Sequence, residues 1–288
     1  MNLADLTMLA VRVSIVLTVF AFALKASPQD AIYLFRRPRQ LARSLLSMNV
    51  VMPVFAAVLI AAFDLHPAVK VAIGALSVSP LPPVLPKTEL MAGGKESYTI
   101  GLLAAAALLA IVWVPLALEA LGRIFSIPLA LSPGAIAMIV LMTVLAPLAA
   151  GIAVHSVAPA FADRIAAPVS LVAMIMLAAA IVPVLFTQFP AIWSLIGNGT
   201  IAGLAGFVVV GLAVGHLLGG PELEDRTVLA LSTSSRHPGV AAGIAQAIFP
   251  EQKLALAAVL LYVLVGGVVS VPYIIWIRRR RAAAPRAV

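Results

Sequence analysis

Runs of about 20 apolar residues, the length of a membrane-spanning helix, recur along the whole chain and are separated by short polar connections. Only 10% of the residues are charged and 63% are hydrophobic. A soluble domain needs more charge than this to cover its surface. These features predict an all-α polytopic membrane protein, with residues 1–288 forming a single integral membrane domain in the lipid bilayer.

The apolar runs predict about nine transmembrane helices. They cover residues 6–25, 45–63, 67–93, 97–121, 133–156, 165–187, 195–219, 225–249 and 254–277. The first run is expected to be a retained span, because Asp5 and the absence of a cation before it do not fit a signal peptide. Cysteine is absent, which excludes disulfides and thiolate metal sites.

The positive charges predict the orientation of the chain in a cell (inner or plasma) membrane, because loops on the cytoplasmic side carry the excess of Lys and Arg. An odd number of spans with the N-terminus outside and the C-terminus inside puts fourteen of the nineteen cations on the cytoplasmic side. These are Lys25, Arg36, Arg37, Arg39, Arg43, Lys87, Lys95, Arg164, Arg226, Arg278, Arg279, Arg280, Arg281 and Arg286. The net charge of +8 is therefore interpreted as a topology signal rather than a nucleic-acid surface.

Two of the predicted spans contain sequences that break the rules for a membrane helix. Segment 67–93 contains the prolines Pro80, Pro82, Pro83 and Pro86, which lack an amide proton and cannot continue an α-helix. Segment 225–249 contains the hydroxyl residues Ser232, Thr233, Ser234 and Ser235, followed by Arg236, His237, Pro238 and Gly239. Unwound backbone is tolerated at membrane depth only where protein buries it or water reaches it. Two interrupted helices in corresponding places of two halves indicate the central site of a transporter.

Several stretches resemble the bile acid:sodium symporter family. They are Val19–Leu24, Ser27–Asp30, Phe35–Pro38, Asn49–Pro53, Leu90–Gly94 and Ser235–Ala241. The resemblance implies an inverted-repeat fold in which a core domain with two broken, crossing helices lies beside a panel domain. It assigns residues 1–122 to a first repeat that lacks the first family helix, residues 133–277 to a second repeat, and residues 278–288 to a basic cytoplasmic tail. It also implies alternating-access transport of small organic anions, such as bile acids and small carboxylates.

The chain departs from the family pattern where sodium should bind. The acidic and amide positions of the second crossing helix hold Ser232 and Arg236, and the amide of the preceding core helix falls at Met48, next to Asn49. Thr99 alone keeps a hydroxyl among the ligands that follow the first crossing helix. Because a guanidinium stays protonated and repels sodium, the hypothesis is that Arg236, with Lys87, supplies a fixed positive charge for an anionic solute. No cofactor is expected, and a sodium site is doubted.

His237 has two interpretations. Its ordinary pKa suits a proton-coupling group, but a neutral ring that hydrogen-bonds a carbonyl of the broken helix is the favoured interpretation. The candidate site residues are thus Arg236, His237, Ser232, Thr233, Ser235, Lys87, Thr99 and Asn49, and the expected partner is a small organic anion. Three other functions stay open: a sodium-coupled symporter, an intramembrane hydrolase using a serine beside His237, and a non-transporting receptor. An enzyme is not expected, because no carboxylate is predicted to orient His237.

Overall fold

The computed structural model describes residues 3–125 and 133–283, and within these ranges the chain is helical with no β-strand, which confirms the all-α prediction. Two helices contain a π-helical segment each, Leu46–Val51 and Leu141–Leu145. The α-helices are Leu3–Ala23, Pro28–Ala31, Pro38–Leu45, Met52–Ala62, Pro67–Val78, Leu85–Ala92, Glu96–Phe125, Pro133–Val140, Ala146–Val157, Pro159–Ser194, Thr200–Leu218, Leu223–Ser234, Pro238–Ile248 and Ala255–Ala283.

Five helices in the described ranges are long and apolar enough to cross a membrane. They are Pro38–Ala62, Glu96–Ala117, Pro159–Ser194, Thr200–Leu218 and Ala255–Ala283. The helix Pro159–Ser194 exposes large apolar side chains such as Phe186 and Trp193, as a surface in contact with lipid does. The protein is therefore a multi-pass membrane protein, while the count of nine spans stays a prediction.

Some helices begin or end away from the predicted positions. Residues 38–44 are the first turns of the helix that continues to Ala62, so this helix begins before the predicted span 45–63. The last helix likewise continues to Ala283, into the predicted tail 278–288. Arg286 and most of the predicted boundary between the repeats, at residues 122–133, lie outside the described residues.

Both predicted interruptions are present. The first broken helix consists of Pro67–Val78 and Leu85–Ala92, with Pro80, Pro82 and Pro83 in the non-helical stretch between them. The second broken helix consists of Leu223–Ser234 and Pro238–Ile248, separated by three residues. Pro86, Pro238 and Gly239 differ from expectation, since each lies in the first turn of the helix after a break. A proline is tolerated there because the first-turn amides have no partner within the helix.

The described residues fall into two compact units. One unit comprises residues 1–36 and 100–190. In it the ring nitrogen Nδ1 of His155 lies 2.8 Å from the Leu24 carbonyl, and Gly151 packs closely against Phe20 and Ala23. The other unit comprises residues 37–99 and 191–288 and contains both broken helices.

Close packing in the second unit depends on glycines of the helix Thr200–Leu218. A Cβ atom at Gly211 would lie 2.7 Å from the Cα of Ser234, and one at Gly215 would meet the backbone of Leu229 and Ala230. Small residues at a spacing of four therefore allow this helix to pack directly on the backbone of the second broken helix.

Candidate functional site

The two helix breaks meet each other inside the second unit. The backbone N–H of His237 donates a hydrogen bond to the Pro80 carbonyl at 2.9 Å. Each half of one helix packs on a half of the other: Pro67–Val78 on Pro238–Ile248, and Leu85–Ala92 on Leu223–Ser234. The broken helices therefore cross at their breaks, and main-chain polar groups of both helices lie together at this point.

Arg236 is the charged side chain at the crossing. It is only 3% exposed, and its Nη2 donates to the Met48 carbonyl at 2.6 Å. Its Nη1 lies 3.4 Å from the Ser79 carbonyl, and its Nε has no hydrogen-bond partner among the described residues. The guanidinium thus joins the second broken helix to the break in the first and to the helix Pro38–Ala62.

The carbonyl that Arg236 uses is available because of a local change in helix type. Residues Leu46–Val51 are π-helical, with hydrogen bonds between residues five apart. The residue five positions after Met48 is Pro53, which has no amide proton to donate. The Met48 carbonyl therefore lacks its π-helical partner, and the Arg236 guanidinium supplies the missing donor.

The hydroxyl run before Arg236 holds the second broken helix to its neighbours. Ser232 Oγ donates to Glu89 Oε1 at 2.5 Å, and Thr233 Oγ1 lies 2.6 Å from Ser47 Oγ. At the end of the run, the Ser234 carbonyl accepts a hydrogen bond from the Tyr262 hydroxyl at 2.7 Å. Ser232 and Thr233 are fully buried, so their hydroxyl groups are committed to these protein contacts in this structure.

His237 has a capping role in the structure. It is the N-cap of the helix Pro238–Ile248, and its Nδ1 accepts from the Val240 N–H at 3.4 Å. An Nδ1 that accepts a hydrogen bond carries no proton. The ring is half-buried and bonds a backbone amide rather than a carbonyl, which supports the structural interpretation of this residue.

Glu89 is the site residue that sequence reasoning missed. Its side chain is 2% exposed, and the carboxylate accepts a hydrogen bond from Ser232 on the second broken helix. The buried Thr99 hydroxyl lies close to the same carboxylate, outside direct hydrogen-bond geometry. The sequence feature that could have identified Glu89 as a site residue is its position as an acidic residue inside an interrupted apolar segment.

The remaining predicted site residues do not join the group around Arg236. Lys87 is exposed on the helix Leu85–Ala92, so its ammonium is not buried with the Arg236 guanidinium. Asn49 is half-buried in the π-helical segment, and Ser235 is half-buried in the second break. In the part of the chain that the structure describes, no three His, Asp or Glu side chains form a metal-binding group.

A model of the sodium bile acid symporter family matches residues 12–195. This range is more than half of the chain. The protein belongs to the sodium bile acid symporter family. No curated protein sequence matches it.

Membership assigns the chain to a family of membrane transporters rather than enzymes. The matched range includes the first broken helix and the π-helical segment before it, and it ends before the second broken helix. The stretch Ser235–Ala241, which carried part of the predicted resemblance, therefore lies outside the match. The crossing contacts of Arg236 and His237 instead come from the structure.

Proposed function

We propose that this protein is a secondary transporter that carries a small organic anion across the membrane by alternating access. The observation that carries the proposal is the buried Arg236 guanidinium between two helix breaks that touch each other. Broken helices expose main-chain groups that a solute can bind, and transporters use this arrangement near the middle of the bilayer. The crossing is accordingly the proposed binding site.

An anion is favoured because the charge of Arg236 is not neutralised by an acidic side chain. Within the described residues its hydrogen-bond acceptors are two main-chain carbonyls, and no carboxylate bonds to it. A buried charge without a counter-ion is costly, so an anionic solute gains from pairing with it. The Nε–H, which has no partner, is a donor that such a solute could use.

Sodium-independent transport is the proposed mode, as a uniporter or an exchanger. The position that carries an amide in the family pattern holds the Arg236 guanidinium, whose Nη2 bonds the Met48 carbonyl. A fixed cation there does not fit a sodium ion, which needs oxygen ligands and compensating negative charge. We therefore assign no step of transport at this position to sodium.

The sodium-coupled symporter is kept as a second candidate because of Glu89. Its buried carboxylate contacts Ser232, which stands where the family pattern has an acidic residue, and it lies close to the Thr99 hydroxyl. One carboxylate and two hydroxyl groups supply oxygen ligands of the kind that a hard cation prefers. In this alternative the acidic ligand would come from the first broken helix instead of the second.

Two further classes have less support. A hydrolase would need a serine activated by His237, but the Ser234 hydroxyl donates to the Leu231 carbonyl and His237 caps its own helix. A non-transporting receptor would need a signalling domain, whereas the described residues form apolar helices with short connections. These contacts and the family membership favour a carrier over both.

The proposed topology has nine spans in two inverted repeats, residues 1–122 and 133–277, with the N-terminus outside and the C-terminus in the cytoplasm of a cell membrane. Support comes from the five long apolar helices, the shorter apolar segments Leu9–Ala23 and Leu141–Val157, and the two broken helices. The two breaks belong to different repeats in this scheme. A cytoplasmic C-terminus agrees with the Arg-rich end of the last helix.

The test is uptake of radiolabelled bile acids and short-chain carboxylates into proteoliposomes, with and without a sodium gradient. We expect the wild type to take up the solute equally with and without the sodium gradient. Uptake should fall by about tenfold or more in Arg236→Gln, which removes a charge-assisted contact. Arg164→Gln removes an exposed arginine and serves as the control. Uptake that depends steeply on sodium would support the symporter instead, and no uptake of any solute would contradict a carrier of organic anions.

A further inference from the structure

A cavity of about 550 Å³ lies away from the crossing but in the same unit. One wall is the beginning of the long apolar helix Pro38–Ala62, and the other is the connection between Thr200–Leu218 and Leu223–Ser234. The cavity is lined by Arg37, Pro38, Arg39, Gln40, Arg43, Gly219, Gly220, Pro221 and Asp225, and we call it the arginine pocket. Nothing in the proposed transport cycle uses it.

The arginine pocket concentrates positive charge at one end of a membrane span. Arg39 and Arg43 are four residues apart, so their side chains lie on the same face of the helix, and Arg37 precedes its first turn. All three side chains are exposed. Arg37 is also the N-cap residue and gives the helix no side-chain cap, so the positive end of the helix adds to the charge of the guanidinium groups.

The opposite wall of the pocket comes close to the arginines at a glycine residue. Gly220 has a φ of +102°, which favours glycine, and a Cβ atom there would lie 3.8 Å from Arg43 Nη1. The need for glycine comes from this φ, because a Cβ atom at 3.8 Å would make only an ordinary van der Waals contact, and the backbone of the connection lies beside the Arg43 guanidinium. A ligand held by Arg43 would therefore also touch the start of the second broken helix.

Asp225 is a second and independent feature of the arginine pocket that points to a ligand. The residue is 7% exposed, and its Oδ2 accepts from Gln40 Nε2 at 2.9 Å. Its Oδ1 is buried and has no hydrogen-bond partner among the described residues. Because buried polar atoms are normally satisfied, this oxygen requires a donor that the described protein atoms do not supply.

We infer that the arginine pocket binds a phosphate ester that also carries a hydroxyl or ammonium group. Phosphate oxygens suit the fork of donors on guanidinium groups, and the hydroxyl or ammonium group would donate to Asp225 Oδ1. The pocket lies at the end of a membrane span, the depth of lipid headgroups, and basic pockets between membrane helices bind such groups. The ligand is either a lipid headgroup or a soluble phosphate ester. This inference does not depend on the proposed transport function.

The test measures binding to the purified full-length protein by thermal shift and calorimetry. The probes are dioctanoyl phosphatidylglycerol for the lipid source, glycerol 3-phosphate for the soluble source, and methyl phosphate as an anion that lacks the extra donor. Dioctanoylglycerol, which has no phosphate, is the negative control. The variants are Arg39→Gln/Arg43→Gln and Asp225→Asn, with Arg36→Gln as the matched control, since Arg36 is exposed in the same stretch but does not line the pocket.

We expect saturable binding of at least one donor-bearing phosphate probe, a loss of about tenfold or more in Arg39→Gln/Arg43→Gln, and a change below about twofold in Arg36→Gln. Binding of the lipid probe alone assigns the site to headgroups, and binding of glycerol 3-phosphate assigns it to soluble esters. Asp225→Asn should weaken the binding of the donor-bearing probes and leave the binding of methyl phosphate unchanged. Equal losses in Arg36→Gln and the double variant, or no saturable binding of either donor-bearing probe, would overturn the inference.

Discussion

The His237 amide and the Pro80 carbonyl are 2.9 Å apart, and this hydrogen bond joins the breaks of two helices that lie far apart in the sequence. Neither group has a partner within its own helix, because Pro80 lies between two helical halves and His237 precedes the first turn of Pro238–Ile248. The bond therefore satisfies two main-chain groups that a break would otherwise leave unpaired. The two breaks are therefore hydrogen-bonded to each other and are not two independent turns.

Gly211 and Gly206 lie on the same helix, and replacing them by alanine should change the stability of the protein in opposite directions. Alanine favours a helix over glycine by about 1 kcal/mol, so Gly206→Ala, which has open space around it, should stabilise the protein. A Cβ atom at Gly211 would lie 2.7 Å from the Cα of Ser234, so Gly211→Ala should displace the second broken helix and destabilise the protein by about 1–3 kcal/mol. Thermal unfolding in detergent measures both effects, and stabilisation by Gly211→Ala would refute the close packing.

Glu89 and Ser232 should behave as a coupled pair in thermal unfolding. Glu89→Ala leaves the buried Ser232 hydroxyl without its acceptor and should cost about 1–3 kcal/mol, whereas Glu89→Gln keeps an acceptor and should cost less. In a double-mutant cycle, Glu89→Ala combined with Ser232→Ala should cost less than the sum of the single changes. Additive effects would show that the two side chains do not share a hydrogen bond.

Arg278 should protect the end of the first broken helix from hydrogen exchange. Its Nε and Nη2 both donate to the Met91 carbonyl, at 2.9 and 2.7 Å, in the last turn of Leu85–Ala92. Arg278→Gln should therefore speed up amide exchange over residues 85–93, with little effect on global stability because the contact is exposed. Arg279→Gln changes an adjacent exposed arginine and serves as the control. Equal exchange in the two variants would argue against this capping contact.

The positions of the helix breaks could be predicted from the sequence because their causes are local. Pro80, Pro82 and Pro83 lack amide protons, and Arg236 with its neighbouring hydroxyl residues is costly in hydrocarbon. Pro86 and Pro238 were predicted to belong to the breaks, but a proline after a break can either extend the break or begin the next helix. The structure shows that both begin a helix.

The partners of the buried side chains could not be predicted in the same way. Glu89 lies close to Lys87 in the sequence, but its carboxylate accepts a hydrogen bond from Ser232 on another helix, 143 positions along the chain. The contact of Arg236 with the Met48 carbonyl depends on a π-helical segment and on the packing of helices that are distant in the sequence. Tertiary contacts of this kind leave no periodic signal within one segment.

The absence of cysteine allows a clean cross-linking test of which contacts move during transport. Ser47 and Thr233 touch through their hydroxyl groups at 2.6 Å, and both lie in the unit of residues 37–99 and 191–288. Side chains this close can satisfy disulfide geometry, so Ser47→Cys/Thr233→Cys should cross-link on mild oxidation. If the unit moves as a whole in alternating access, the oxidised variant should keep most of its uptake, and the single variants should not respond to oxidant. Loss of uptake on oxidation, recovered on reduction, would instead show that the helix Pro38–Ala62 and the second broken helix must separate during the cycle.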